Sequence, residues 1–203
     1  MKVIDNIHLI KVDFVNVYLL VHGEGLVLID AGLPDRGKEV ISYIGELGYS
    51  PGDLKAIIIT HHHYDHTGGL REIIEKTGAK TYAHGAEKDL IKERTGIVVD
   101  NELKDGDTIY GLRVIHTPGH TPGHICLLHT DTGSLFVGDL IYEENGELKE
   151  IPHKYSMDPM KNREAIKKLL EIEFKHILPS HGKPILNTGK QELERLVKKL
   201  ETP

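Results

Sequence analysis

The amino-acid sequence predicts an α/β protein with two mixed β-sheets flanked by helices. Three observations predict it. Apolar runs of strand length alternate with segments whose apolar residues recur at helical spacing. The order, strands first and helices after, occurs once in each half of the chain. No sequence repeat or low-complexity linker interrupts either half. Two sheets with helices on their outer sides bury their inner faces by stacking, so the expected architecture is a four-layer αββα sandwich. Periodicity by itself licenses only mixed α/β, and the layer order leans on the motifs below. At 203 residues, residues 1–203 are expected to form a single domain.

The elements follow in order. Strands are read at Ile7–Val12, Val15–His22 and Leu26–Ile29, and Asp30-Ala31-Gly32 turns the chain into a helix near Asp35–Leu47. Pro51-Gly52 opens the strand Lys55–Thr60. Leu70, Ile73 and Ile74 share one side of a helix at Leu70–Lys76. A strand at Lys80–Ala83 and a helix at Ala86–Arg94 complete the first half. The second half reads as strands at Thr108–Tyr110, Leu112–His116, Ile125–His129 and Leu135–Val137. A helix at Pro159–Leu170, a strand at His176–Leu178 and a helix at Lys190–Leu200 close it.

Composition narrows the function classes. Charged residues make up 28% and hydrophobic ones 39%, a globular balance, and no run approaches the ~20 apolar residues of a membrane span. The start, Met1-Lys2-Val3-Ile4-Asp5-Asn6, has no apolar core of a signal peptide. The lone Cys126 excludes an intrachain disulfide and sits in Ile125-Cys126-Leu127-Leu128, where it reads as a small core residue rather than a nucleophile. The expected compartment is the cytoplasm. A net charge of -6 without a Lys/Arg block argues against nucleic acid or an anionic membrane as partner. The expected partner is a small-molecule substrate. Oligomeric state stays open, a homodimer included.

The richest segment is Thr60-His61-His62-His63-Tyr64-Asp65-His66-Thr67-Gly68-Gly69, directly after the apolar run Ala56-Ile57-Ile58-Ile59. Imidazole and carboxylate suit zinc, iron or manganese, and His61, His63, Asp65 and His66 are enough to serve two adjacent metals. A solvated His-rich tract would not sit between a buried strand and a helix. Other apolar strands also end in a polar side chain. Leu26-Val27-Leu28-Ile29 ends in Asp30, Leu135-Phe136-Val137-Gly138 in Asp139, and Ile177-Leu178-Pro179-Ser180 in His181. The Pro/Gly-stiffened turn Thr117–His124 presents His120 and His124 after His116. One such strand end is ordinary turn chemistry; the whole set points to strand ends converging on one site.

These residues resemble the metallo-β-lactamase superfamily over nearly the whole chain. Its HxHxDH signature stands as His61-x-His63-x-Asp65-His66. The resemblance implies the αββα fold and a metal-dependent hydrolase. It implies that His61, His63 and His120 hold one metal and that Asp65, His66 and His181 hold a second, with Asp139 bridging. His120 is chosen over His116 and His124 because it follows the Pro-Gly turn as the family's third-motif histidine does. Asp30 matches an early aspartate that holds the His loop without touching metal.

The implied cofactors are two divalent ions, zinc first, with iron or manganese as alternatives. Such a pair, ~3.5–4 Å apart, shares one water and lowers its pKa toward ~7, giving a bridging hydroxide nucleophile. Asp65 is then the candidate catalytic residue, orienting that hydroxide and delivering a proton to the leaving group. Gly-x-Ser-x-Gly is absent. Lys154 and Tyr155, in the loop between Ile151 and Pro159, are the candidate substrate contacts, with Tyr64 and Tyr142 as weaker ones. His62 is expected to point away from the ligands, and His8, His22, His84, His129 and His176 read as surface or strand-end residues.

Thr117–His124 looks most like the glyoxalase II-like branch, which cleaves thioesters. The chain ends about twenty residues beyond His181, so the expectation is a short hydrolase without that enzyme's glutathione-holding helical region. Its substrate is then a thioester, lactone or similar ester-like bond. A phosphodiesterase of the same fold and a mononuclear iron sulfur dioxygenase are the alternatives.

Overall fold

A computed structural model of the chain describes residues 1–201. The chain forms two compact units, one from Met1 to Leu103 and one from Lys104 onward.

The first unit holds β1 (Lys2–Ile4), β2 (Ile7–Val12), β3 (Val15–His22), β4 (Gly25–Ile29), α1 (Gly37–Glu46) and β5 (Leu54–Ile59). It continues through α2 (Tyr64–Thr67), α3 (Leu70–Thr77), β6 (Lys80–His84), α4 (Lys88–Thr95) and β7 (Asn101–Leu103). Its strands make a seven-stranded sheet in the order β1-β2-β3-β4-β5-β6-β7. The first four pair antiparallel through tight turns, with Val12 opposite Val15 and His22 opposite Gly25. From β4 on the pairing is parallel, because a helix or longer crossover separates successive strands. The β5 strand is therefore central, and all of it except Lys55 is buried. Val40 and Ile44 of α1 and Leu70 and Ile73 of α3 share a core cluster with Leu19, Leu28, Ile57 and Ile59. Each fully buried Leu or Ile contributes ~1.5–3 kcal/mol of transfer free energy.

The second unit holds β8 (Thr108–Ile109), β9 (Leu112–His116), β10 (Ile125–His129), β11 (Ser134–Gly138), β12 (Ile141–Glu144) and β13 (Glu147–Glu150). Then come α5 (Pro159–Lys168), β14 (His176–Pro179) and α6 (Gly189–Glu201). The sheet order is β14-β11-β10-β9-β8, with β11 and β14 parallel and the other pairs antiparallel; β12 and β13 form a separate hairpin. Ile166 of α5 and Leu193 and Leu196 of α6 pack with Leu135, Val137 and Ile177. The molecule is thus α/β with two mixed sheets and helices. Among the described residues no helix is long and apolar enough to cross a membrane.

Several elements differ from the sequence expectation. The α1 helix begins at Gly37 rather than Asp35, which takes a left-handed φ of 61°. The expected helix at Ala86–Arg94 opens with a 3-10 turn, Gly85–Glu87, before α4. Strands β1 and β7 went unread because three residues are too few to show alternation. The β12–β13 hairpin did have a signal, Asn145-Gly146, whose φ values of 56° and 85° suit a tight two-residue turn. His129 and His176 do stand at strand ends, at the close of β10 and the start of β14, but both are buried, as is His8 within β2.

Candidate functional site

In the first unit β5 delivers the chain into Thr60 and the His61–His63 loop, and the short α2 carries Asp65 and His66. Asp30, at the end of the neighbouring β4, organises this segment. Its Oδ1 accepts from the Thr60 backbone N–H at 2.8 Å, and its Oδ2 accepts from the Thr60 hydroxyl at 2.8 Å. Its Oδ2 also lies 2.8 Å from His66 Nδ1. Because the Thr60 hydroxyl donates to Asp30, its oxygen accepts from His61 Nδ1, 3.1 Å away. Both Nδ1 atoms therefore carry protons, which leaves the Nε2 lone pairs of His61 and His66 as donors toward a cation.

The rest of this set lies close by. His61 Nε2 is 3.1 Å from His63 Nδ1, and His66 Nε2 is 3.6 Å from Asp65 Oδ2. Two ligands of one tetrahedral ion with ~2.0–2.1 Å bonds sit ~3.3 Å apart, so the His61–His63 spacing fits a metal. His61, Asp65 and His66 are all buried. Gly68 and Gly69 permit this compactness: a Cβ on Gly68 would fall 2.2 Å from Pro34 N, and one on Gly69 2.3 Å from Ala31 O.

In the second unit β11 ends in Asp139 and the parallel β14 ends just before His181. Their register pairs Gly138 with Pro179, so the two carboxyl ends lie side by side. The Asp139 carboxylate aims one oxygen at each of two histidines. Oδ2 is 3.7 Å from His120 Nε2, and Oδ1 is 3.2 Å from His181 Nε2. His120 and Asp139 are buried, and the His181 side chain is 21% exposed.

The three histidines of the β9–β10 segment separate cleanly. His116 Nε2 faces Pro122 O at 3.0 Å. His124 Nε2 accepts from the Asp139 backbone N–H at 3.1 Å, so its Nδ1 donates to the Thr117 hydroxyl at 2.8 Å. Both ring nitrogens of His124 are thereby engaged, Nε2 by the Asp139 backbone and Nδ1 by Thr117, whereas His120 faces the Asp139 carboxylate.

The loop carrying Lys154 and Tyr155 runs along the His120 turn. Met157 N donates to His120 O at 3.1 Å and Asp158 N to Gly119 O at 2.9 Å. Residues His153–Tyr155 form a 3-10 turn, Lys154 Nζ sits 4.7 Å from the Tyr155 ring centre, and Tyr155 is 54% exposed. Tyr64 is exposed as well. Cys126 is buried inside β10, and that burial pushes its thiol up to about 12 despite the Thr117 hydroxyl nearby. Such a thiol is protonated and inert at neutral pH.

Four residues that act on these sets escaped the sequence reading. Thr60 and Thr117 occupy spots where a hydroxyl relays a hydrogen bond, and nothing in their immediate sequence marks that role. Glu87 and Glu143 are buried, one in the turn before α4 and one in β12, and they accept hydrogen bonds from His62 and from the Lys183 backbone, beside the candidate histidines. His62 does not point to solvent; its Nδ1 lies 2.6 Å from Glu87 Oε2. Alternation within a loop does not settle direction when a buried acceptor lies behind it.

Each unit thus carries a cluster of His and Asp whose donor atoms lie within 4.8 Å of one another: His61 with His63, Asp65 with His66, and Asp139 with both His120 and His181. A family model described as the metallo-beta-lactamase superfamily matches residues 10–181, which include both clusters. The chain is 38% identical to a hydroxyacylglutathione hydrolase of Pelagibacter ubique over 54% of its own length, and it spans 44% of that relative. It is 29% identical to the Bacillus subtilis protein named "Probable metallo-hydrolase YflN", over 91% of the chain and 86% of the relative. The crystal structure of TTHA1623 in a di-iron-bound form is similar with a TM-score of 0.72 and 26% identity, covering 88% of this chain and 93% of that one. With the signature, the two-sheet architecture and a match across most of its length, this chain belongs to the metallo-beta-lactamase superfamily.

Proposed function

We propose that the two clusters form one binuclear metal centre in a single functional domain, and that the protein is a hydrolase of small ester-like substrates such as thioesters or lactones. The observation that carries this reading is the Asp139 carboxylate, with one oxygen toward His120 and the other toward His181. A carboxylate disposed in that way is suited to bridge two cations. In this reading His61, His63 and His120 hold one ion, Asp65, His66 and His181 hold the other, and Asp139 joins them. The names of the hydroxyacylglutathione hydrolase and of YflN support hydrolysis as the reaction class.

When bound, the two ions would supply Lewis acidity, lowering the pKa of water and drawing charge from a carbonyl oxygen. The chain's own residues do the rest. Asp30 and Thr60 keep His61 and His66 in the tautomer that offers Nε2. Asp65, buried beside His66, would orient the attacking water through its carboxylate, take up that water's proton and pass the same proton to the leaving group. Tyr155 and Lys154 bind the substrate from the loop tied to the His120 turn.

Zinc suits the donor set, and the di-iron relative makes iron the competing metal. Elemental analysis beside a panel of thioesters, lactones and phosphodiesters tests the whole proposal. Two metals per chain and chelator-sensitive thioester or lactone cleavage are expected. A fully active protein with a single iron would favour the dioxygenase alternative. Preference for phosphodiesters would replace the substrate class and keep the centre.

A further inference from the structure

Both ligand-bearing histidine loops are held from behind by a buried glutamate that is itself no ligand. In the first unit Glu87 is fully buried, and one of its oxygens, Oε2, receives two bonds from His62. The His62 backbone N–H donates at 2.8 Å and the His62 Nδ1 at 2.6 Å. His62 stands between His61 and His63, so this clamp fixes the backbone from which both project.

In the second unit Glu143 plays the corresponding part with both oxygens. Oε2 accepts from the Lys183 backbone N–H at 2.5 Å, and Oε1 accepts from the Gly146 N–H at 2.6 Å. The Glu143 N–H donates to His181 O at 3.0 Å. The loop after His181 is pressed so closely on Glu143 that a Cβ on Gly182 would fall 2.1 Å from Glu143 O. The β12–β13 hairpin thereby becomes a brace for His181.

We propose that Glu87 and Glu143 are positioning residues for metal binding, Glu87 for the ion held by His61 and His63 and Glu143 for the ion held by His181. The inference rests on the binuclear reading above. His62 and His181 are partly buried and Lys183 is exposed, so a loop that loses its buried glutamate acceptor is free to shift toward water. Outer partners of ligands typically govern metal affinity by ~10–100-fold. The two clamps differ in one testable respect. Glutamine at 87 retains an oxygen that can accept both His62 bonds. Glutamine at 143 replaces one of two acceptors with an amide NH2, which faces a backbone N–H and cannot accept from it.

The test titrates the full-length wild type, E87A, E87Q, E143A and E143Q with Co(II) alone, following the visible ligand-field bands, and records melting of the metal-free proteins. The wild type is expected to bind two ions. E87A and E143A should each weaken one of the two by ~10–100-fold, with different bands lost in each. E87Q should recover most of its affinity, and E143Q should not. Should an alanine variant fold poorly, E87D or E143D, one methylene short of the loop, puts the same question. Unchanged affinity for both ions in E87A and E143A would overturn the proposal. So would equal weakening of both ions in step with a lowered melting temperature, which is the mark of a merely structural role. A wild type that binds a single Co(II) would defeat the binuclear reading instead, and the clamp would then stand or fall on whether E87A or E143A weakens that one ion.

Discussion

His120 and His124 lie four residues apart in one turn, and their opposite tasks make the sharpest residue-scale prediction. His120→Ala removes a ring that faces the Asp139 carboxylate, so metal content should fall toward one ion per chain. His124→Ala should keep metal content while leaving the Asp139 N–H without its acceptor, at a cost of ~1–3 kcal/mol of stability. Elemental analysis and denaturant unfolding of the two variants separate these effects; a harmless His120→Ala would show that the ligand was misassigned. Asp139→Asn preserves shape and removes the charge between the proposed cations. It should cost several orders of magnitude in hydrolysis, measured as kcat/KM on a thioester or lactone, because water activation and oxyanion stabilisation both depend on the pair. Cys126, with its thiol pushed up to about 12, should resist iodoacetamide at pH 8 in the native protein and react only after unfolding. Rapid native labelling would contradict its place in β10.

At the scale of elements, the His120 turn depends on how closely it meets α5. Gly119 has a φ of 140°, and a Cβ there would fall 2.2 Å from Asn162 N. Asn162 in turn donates from its side chain to Leu140 O at 3.1 Å. One helix start therefore touches the residues next to both His120 and Asp139. Gly119→Ala should push the turn off α5, lowering the melting temperature and metal occupancy together, with a stability loss of ~1–3 kcal/mol. The N-cap of α5 offers a milder perturbation. The Asp158 side chain accepts from Lys161 N at 3.1 Å, and Pro159 follows at the first helical position. Asp158→Ala should cost ~1 kcal/mol in thermal unfolding without changing metal stoichiometry. Loss of metal in that variant would mean that the helix start and the turn are more tightly coupled than their hydrogen bonds indicate.

For the whole molecule, stability should depend on bound metal and on pH. If metal binds the folded chain alone, saturation at one hundred times Kd contributes ~2.7 kcal/mol, so chelation should lower the melting temperature. Absence of any shift would argue against a centre built in the fold. The pH dependence has a separate source, readable in the metal-free protein. Burial lowers the pKa of His8, with help from the N-terminal charge and Lys2, and burial lowers that of His176, with help from Lys175. The unfolded chain, with ordinary histidines near 6.5, therefore binds protons more readily than the folded one. Stability from these two groups is present above that pH and is lost as pH falls below it. His176 Nδ1 accepts from Asn187 N at 3.0 Å, an acceptor role that protonation removes. His176→Asn, which can keep an acceptor there without titrating, should flatten the fall of melting temperature between pH 7 and pH 5. An unchanged slope would place the proton uptake elsewhere.

What the sequence determined by itself was local or patterned. Apolar strands such as Ile7–Val12 and Ile125–His129 and the amphipathic α3 declare themselves by periodicity. The run His61-x-His63-x-Asp65-His66 declares metal chemistry because so many donors crowded into one short loop suit little besides a cation. The Asn145-Gly146 hairpin went unread, although its signal was equally local and lay in two adjacent residues. The tertiary structure decided what depends on distant partners. The Pro-Gly turn singled out His120 by resemblance, but the task of His124 had no local mark; β11 decides it by bringing the Asp139 side chain to His120 and the Asp139 backbone N–H to His124. Glu87 and Glu143 look like ordinary surface acids in sequence, and only burial against loops twenty-five and forty residues away turns them into clamps. The physical reason is common to all of these. A ligand's tautomer and a loop's position are fixed by hydrogen bonds across the fold, and such bonds leave no periodic trace along the chain.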